Sequence, residues 1–389
     1  MKRAFVCDPA CVESRGHNLQ ALLGAAEMLR DAHSVHLVAC RHLAPSVAEQ
    51  YGIRLMFSWY YPGVFSSTVY PFPDMRGLDV ERYLVQTAIA DAGLLLDSVQ
   101  ADAEDLVLFP SADFYGVLGM LDALIERPEG RRPTFCIRLL NVMEHAARGI
   151  PNAQTFLLDR LRIARAAGLR ISIAAETAHY ASDLRATLCS DVPVVAYPVV
   201  ENAEALPREG SFVVGHLGTP RRDKGYFDVL QVAKDVTRRD DCDHVVFRIQ
   251  WPSVSDSAEW IEYIGQLYAL PRVEFVPDGM DRKLWQSMLS SCHAHLLPYD
   301  LTIYEQRGSA IATEAIVAGR AVVTLAQLPF ASEVIRHGVG VAAASIGGLG
   351  EAISKLANMP LDLLESRLSS GRLSFLREQR REWERWLTW

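Results

Sequence analysis

The 389-residue sequence has little that would tie it to a membrane, a nucleic acid or a disulfide framework. No stretch approaches the roughly 18 uninterrupted apolar residues of a membrane-spanning helix. The opening apolar run is broken by Asp8, Pro9 and Glu13, so no signal peptide is expected. A basic excess is also lacking. The formal net charge is -8, which argues against a nucleic-acid backbone as the main partner. The seven cysteines stand at 7, 11, 40, 136, 189, 242 and 292, an odd number with only Cys7 and Cys11 close together. That pattern offers neither a zinc site nor an oxidised framework, and buried reduced thiols in a cytoplasmic protein are the expectation. No G-x-G-x-x-G follows the first expected strand, since Gly338-Val339-Gly340 comes far too late, and a dinucleotide oxidoreductase is disfavoured. Internal repeats and low-complexity tracts are missing as well.

What the sequence does have is a long alternation of short apolar runs and helical stretches, the pattern of parallel sheets covered on both faces. Strands are expected at Ala4–Cys7, Val35–Cys40, Leu55–Trp59, Leu106–Phe109, Phe135–Leu140, Ile171–Ala175 and Val194–Tyr197. Helices fit between most of them, as at Leu19–Arg30. Tyr60–Asp79, rich in Pro, Gly, Ser and Tyr, reads as a long loop. After a linker at Val200–Gly210 a second series begins, with strands at Phe212–Leu217, His244–Gln250, Val273–Val276, Ala294–Pro298 and Ala321–Leu325. Its helices fit Tyr226–Thr237, Ser257–Leu270, Arg282–Ser291 and Ala310–Ala318. The fold class is therefore α/β, with two Rossmann-like domains and a cleft between the carboxyl ends of their sheets. The expected division is 1–200, 211–370 and a helix at 371–389 that crosses back to the first domain, carrying Trp383, Trp386 and Trp389.

Two stretches of the second half carry chemistry. In AHLLPYDLTIYEQRGSAIATEAIVAGRAVVT a strand ends at Pro298 and Gly308-Ser309 opens a helix. Small residues there expose backbone N–H groups to a phosphate, and the helix dipole favours the anion. Glu314 lies about one and a half turns in, where it can accept hydrogen bonds from two ribose hydroxyls or stand as a solvated face residue. In FVVGHLGTPRRDKGYFDV a strand runs into a loop with Arg221, Arg222 and Lys224. Three cations in four positions can neutralise a diphosphate, Arg by bidentate contact and Lys as a point charge, or form a solvated basic loop.

These segments resemble the donor domain of GT-B glycosyltransferases, especially the retaining group called glycosyltransferase family four. Gly215-His216-Leu217 followed by Lys224-Gly225 is similar to that family's Gly-Arg-Leu and Lys-Gly. Pro298, Gly308, Ser309, Glu314-Ala315 and Gly319 match its strand end, helix start and Glu-Ala. VEFVPDGMDRKLWQSMLSSCHAHLLP and ASEVIRHGVGVAA extend the likeness over 211–358, while the first half agrees in layout. The resemblance implies that His216, Arg221, Arg222, Lys224, Tyr304, Gln306, Arg307, Gly308, Ser309, Ala310 and Glu314 surround the donor.

Two departures stand out. The family's first glutamate falls on Gln306, with Glu305 one position away. The family's Arg is His216, in a loop two residues longer, which leaves Arg221 or Arg222 to replace it. In the first half the resemblance points to Gly16 and His17 in ESRGHN, which are otherwise an ordinary turn and cap, and to His145 after Phe135–Leu140, near the transferred sugar. Arg138 on that strand is a further candidate or a satisfied core cation, and Asp113 a candidate or a helix N-cap. Trp59, Tyr60, Tyr61, Phe65, Tyr70 and Phe72 are suited to stacking on sugar faces or to core packing.

The function implied is transfer of a sugar from a nucleoside-diphosphate sugar to a saccharide or glycoconjugate. Retention of configuration is implied by the resemblance, and no cofactor or metal is called for when cations and a helix end offset the diphosphate. A nucleotide-sugar epimerase of the same fold and a non-catalytic nucleotide-sugar binder are the alternatives. Peripheral membrane contact through a lipid-linked acceptor stays open.

Overall fold

The computed structural model describes residues 2–14, 17–58, 60, 78–112, 114–140, 153–208, 210–251 and 258–387. The chain divides into two compact units, Met1–Val200 with Arg381–Trp389, and Glu201–Arg380.

The first unit contains β1 (Lys2–Asp8), α1 (His17–Leu29), β2 (His33–Cys40), α2 (Pro45–Tyr51), β3 (Ile53–Phe57) and α3 (Leu78–Ser98). It continues with β4 (Leu106–Ala112), α4 (Phe114–Ile125), β5 (Thr134–Leu139), α5 (Ala153–Ala166), β6 (Ile171–Ala175) and α6 (Ala178–Leu188). Among the described residues these strands form one parallel sheet in the order β3-β2-β1-β4-β5-β6. β4, LVLFPSA, is buried along its whole length, because helices cover both faces and leave no side for alternating polar residues. β1 has neighbours on both sides, and the strand order reverses there. The loop after Asp8 therefore opens at a topological switch point.

The second unit repeats the plan. Its elements are β7 (Phe212–His216), α7 (Tyr226–Thr237), β8 (Val245–Gln250), α8 (Ala258–Tyr268), β9 (Val273–Val276), α9 (Arg282–Ser290) and β10 (Ala294–Leu297). There follow α10 (Ala310–Val317), β11 (Ala321–Leu325), α11 (Ala331–His337), β12 (Gly340–Ala343), α12 (Leu349–Ala357) and the start of α13 (Leu361–Leu387). The parallel sheet runs β12-β11-β10-β7-β8-β9, so its switch point lies between β7 and β10. Both units thus have the strand order of a doubly wound Rossmann fold.

Three sequence expectations are corrected, and one strand is added. Val194–Tyr197 is not a strand but a single bridge, Ala175 to Val194. Val195 gives its carbonyl to the Arg138 guanidinium, and Pro198 follows without an N–H, so the ladder stops. The third strand lies two residues earlier than Leu55–Trp59. The expected loop Tyr60–Asp79 ends at Leu78, where α3 begins, and its residues 61–77 lie outside the described residues. β12 is not among the expected strands, since its four residues begin at Gly340, two positions after Gly338, and make too short a run to read.

α13 changes units near Arg380. Trp383 and Trp386 join the first unit's core with Ala4, Leu22 and Val195. Trp386 is fully buried, its carbonyl accepts from Ser172 Oγ at 2.6 Å, and its indole donates to the Ser172 carbonyl at 3.3 Å. Arg385 pairs with Asp191. Trp386→Ala is expected to destabilise the first unit by about 3–5 kcal/mol, read as a lower urea midpoint. An unchanged midpoint would show that the helix end is dispensable. Among the described residues no helix is long and apolar enough to cross a membrane.

Candidate functional site

The switch point of the second unit gathers the loops that follow β7 and β10. Leaving β7, the chain turns at Gly218 with φ +109°, and the Gly218 N–H donates to Gln250 Oε1 at 2.7 Å. Gln250 is in turn held by Asp278 at 2.6 Å. A β-carbon on Gly218 would lie 2.4 Å from Ile311 Cδ1 and 3.2 Å from Lys224 Nζ, so the lysine head and α10 lie directly over this glycine. Arg222–Lys224 form one 3-10 turn, and Gly225 (φ +67°) starts α7. The turn is pinned to the other loop, since the Asp300 N–H donates to the Asp223 carbonyl at 2.9 Å.

The cations separate into two groups. Lys224 is half-buried, and desolvation pushes its ammonium down to about 8, assisted by Arg221. Arg221 donates to Asp223 at 2.7 Å and to the Tyr304 hydroxyl at 3.3 Å, while its buried Nε has no hydrogen-bond partner among the described residues. Arg222 instead pairs with Glu259 and lies over the Phe227 ring at 4.6 Å. Arg221 and Lys224 therefore belong together, and Arg222 is on the outside of the turn.

His216 does not line this surface. It is buried beneath it with Nδ1 2.9 Å from the Leu296 carbonyl, and desolvation lowers it to about 4. It is neutral at pH 7 and supplies no cation, because a charged imidazole there would be stripped of water.

The loop after β10 is organised by Asp300, whose Oδ1 accepts from the N–H of Thr302 and of Ile303. The Tyr304 ring packs at a tilt against Tyr299 with centroids 4.5 Å apart, and Ser309 Oγ donates to the Tyr299 hydroxyl at 3.4 Å. Ser309 caps α10 by accepting the Ala312 N–H at 3.1 Å. The N–H groups of Ala310 and Ile311 precede the first intrahelical acceptor and carry the positive end of the helix dipole. Glu305 is exposed, while Gln306, Arg307, Gly308 and Ala310 are half-buried in this approach to α10. Glu314, one turn further, is half-buried rather than solvated, and its carboxylate accepts the Trp285 indole N–H. Desolvation raises it to about 7 against the pull of Trp285, Lys224 and Arg282.

In the first unit the switch point holds a buried carboxylate. Asp8 Oδ1 accepts the Ala10 N–H at 2.9 Å, and Asn18 donates to both oxygens. His17 stands edge-on to Tyr197 at 5.8 Å, and the Arg138 guanidinium lies 5.7 Å from the same ring. Arg138 is buried and donates to the carbonyls of Val195 and Pro110 at 2.7 and 3.2 Å, as a core cation does. Gly16, Asp113 and His145, and the aromatic residues of the first loop other than Tyr60, lie outside the described residues. Tyr60 is buried, with its hydroxyl on Asp91 at 2.9 Å, which makes it a packing residue.

Sequence reasoning missed Asp8, Asp223, Gln250, Asp278 and Trp285. A signal existed for Asp8, a carboxylate at the carboxyl end of the first strand. For Trp285 none did, because only the packing of α9 beside α10 brings it to Glu314.

Neither the family models nor the curated proteins give a match to the sequence. Solved structures do match in fold. A mutant of S. aureus TarM in complex with Fondaparinux, alpha-GlcNAc-glycerol and UDP is 10% identical with a TM-score of 0.68, over 100% of this chain and 99% of that one. The trehalose-6-phosphate protein from E. coli bound with UDP-2-fluoro glucose is 12% identical, TM-score 0.64, over 99% and 97%. A trehalose-6-phosphate synthase solved in work on glycosyl transfer with retention is 13% identical, TM-score 0.63, over 99% and 97%. The expected GT-B type of fold, two Rossmann-like domains in one chain, is thereby established.

Proposed function

We propose that the second unit binds a nucleoside-diphosphate sugar and that the chain transfers the sugar to a saccharide or glycoconjugate acceptor with retention of configuration. The observation that carries this reading is the meeting of Lys224, Arg221 and the α10 N-terminus at one switch point, with Glu314 a turn beyond. When the bond from the anomeric carbon to the phosphate oxygen breaks, its electron pair stays on the diphosphate. Lys224, Arg221 and the N–H groups of Ala310 and Ile311 stabilise that growing charge without rearranging. The sugar left behind has oxocarbenium character. Glu305 and Gln306 fall nearest the family's sugar-contacting glutamate, and Glu314 takes the ribose. The first unit, with Asp8 and His17 at its own switch point, is assigned to the acceptor. The UDP and UDP-sugar analogue bound by proteins of the same fold support the donor class.

Incubation with UDP-, GDP-, TDP- and ADP-sugars and a panel of saccharides tests the reading. Acceptor-dependent release of one nucleoside diphosphate is expected, with NMR of the product giving the anomer. Donor turnover to a stereoisomer without acceptor would instead indicate an epimerase, and absence of any release would leave a binding protein.

The depressed Lys224 sets a pH dependence. Its charge is complete well below about 8, halved at that value and lost as pH rises through it. Diphosphate affinity should therefore fall above about pH 8, by at most roughly tenfold per unit, until the raised value of the bound state is passed. Calorimetric titrations between about pH 8 and about pH 9.5, where Glu314 is already ionised, check this. A flat profile would remove Lys224 from the anion site.

A further inference from the structure

The indole of Trp285 has no part in the fold's backbone plan, yet it is aimed at a carboxylate. Trp285 sits in the first turn of α9, a helix capped by Asp281, whose Oδ1 accepts the Leu284 N–H at 2.8 Å. Its ring packs against the cluster of Leu217, Val276, Met280, Leu289 and Cys292. A ring held on an apolar bed, with two side-chain torsions, has little freedom left to lose, so its N–H points in a fixed direction. That direction is Glu314 Oε2. The indole N–H takes one lone pair of the carboxylate, which has further lone pairs on both oxygens.

We infer that Trp285 is a positioning residue for nucleotide recognition: by holding Glu314 Oε2 it orients the carboxylate to accept the two ribose hydroxyls of a nucleoside diphosphate. The inference rests on the nucleotide reading of the site and adds a specificity, for ribose over sugars lacking the diol. An oriented, ionised carboxylate accepts from both hydroxyls, whereas a protonated or rotated one loses an acceptor. The groups facing Glu314 are Trp285 and Arg282 on α9 and Lys224 in the turn before α7, and all three favour its ionised form. Burial opposes them. Removing the indole N–H while keeping an aromatic ring tips this balance toward the protonated acid.

The test compares a ribonucleoside diphosphate with its 2′,3′-dideoxy analogue by calorimetry across pH, using wild type, Trp285→Phe and Glu314→Gln. Wild type should prefer the ribose form. Trp285→Phe should reduce that preference about tenfold near pH 7, a loss in the range of a charged hydrogen bond. Alkaline pH should restore part of it as Glu314 ionises, and the ratio of the two ligands cancels any effect of Lys224. Glu314→Gln should show a reduced ratio that does not vary with pH. Equal weakening of both ligands in Trp285→Phe would reduce the indole to a packing residue and overturn the inference. So would a wild type that binds both ligands equally, which leaves the nucleotide site itself standing. Failure of wild type to bind either one would overturn both readings.

Discussion

Gly225→Ala is expected to lower the melting temperature of the second unit by about 10 °C and to abolish nucleotide binding with it. Two faults add at this position. Its φ of +67° is strained for any residue with a β-carbon, and that carbon would lie 1.9 Å from the Pro298 carbonyl oxygen. The first fault alone costs about 1–2 kcal/mol. The second cannot be relieved by a rotamer change, because the obstacle is backbone. Either α7 or the loop after β10 must move, and those are the two elements that bring Lys224 to α10. A loss of about 3–5 kcal/mol follows, at roughly 2–4 °C per kcal/mol for a unit of this size. Gly52→Ala provides the contrast. That glycine also has positive φ, at +64°, but nothing stands within 4 Å of its added carbon, so only the conformational cost remains. Differential scanning of both variants separates collision from strain. A Gly225→Ala protein as stable as Gly52→Ala would mean the two loops do not meet as described.

Lys224→Met is expected to leave the fold intact and to reduce sugar transfer by about 10²–10³-fold, the usual effect of removing one group that stabilises charge developing in a reaction. Methionine keeps the length of the stem that crosses Gly218. Only the charge is lost, in a place where desolvation makes a charge costly and its interaction with a diphosphate strong. The effect should fall mainly on kcat, since the leaving diphosphate carries more charge in the transition state than in the donor. Arg222→Met makes a fair control. It belongs to the same basic run, but its charge is spent on Glu259 and Phe227. Comparable losses in both variants would mean that a diffuse basic loop, rather than one placed ammonium, serves the site.

Much of this architecture was legible in the sequence. The central strands β4 and β10 announced themselves because they are buried along their whole length and read as apolar runs, as in LVLF and AHLL, whereas the edge strand β12 did not. Val194–Tyr197 has the same look and misled for that reason. Its fate is decided by Arg138, which is remote in sequence and takes the carbonyl that a neighbouring strand would need. The placement of Arg221, Lys224, Ser309 and Glu314 around one switch point was visible, because loops at strand ends and helix starts bring charges and free N–H groups together. The division of labour within Arg221-Arg222-Asp223-Lys224 was not. It depends on a single 3-10 turn that sends neighbouring cations to opposite sides. His216 misled through its alignment with the family's Arg, whereas its burial makes it neutral. Trp285 was invisible, since an indole on an amphipathic helix looks like core until a carboxylate from another helix is seen to meet it.

Heat of binding decides whether the switch point of the second unit is a nucleoside-diphosphate site. UDP, GDP, TDP and ADP would each be titrated into wild type, Lys224→Ala and Glu314→Ala. Wild type is expected to bind one of the four with micromolar affinity, and both substitutions to remove that heat. Binding that survives both substitutions would place the nucleotide elsewhere, and no heat from any of the four would contradict the account at its root.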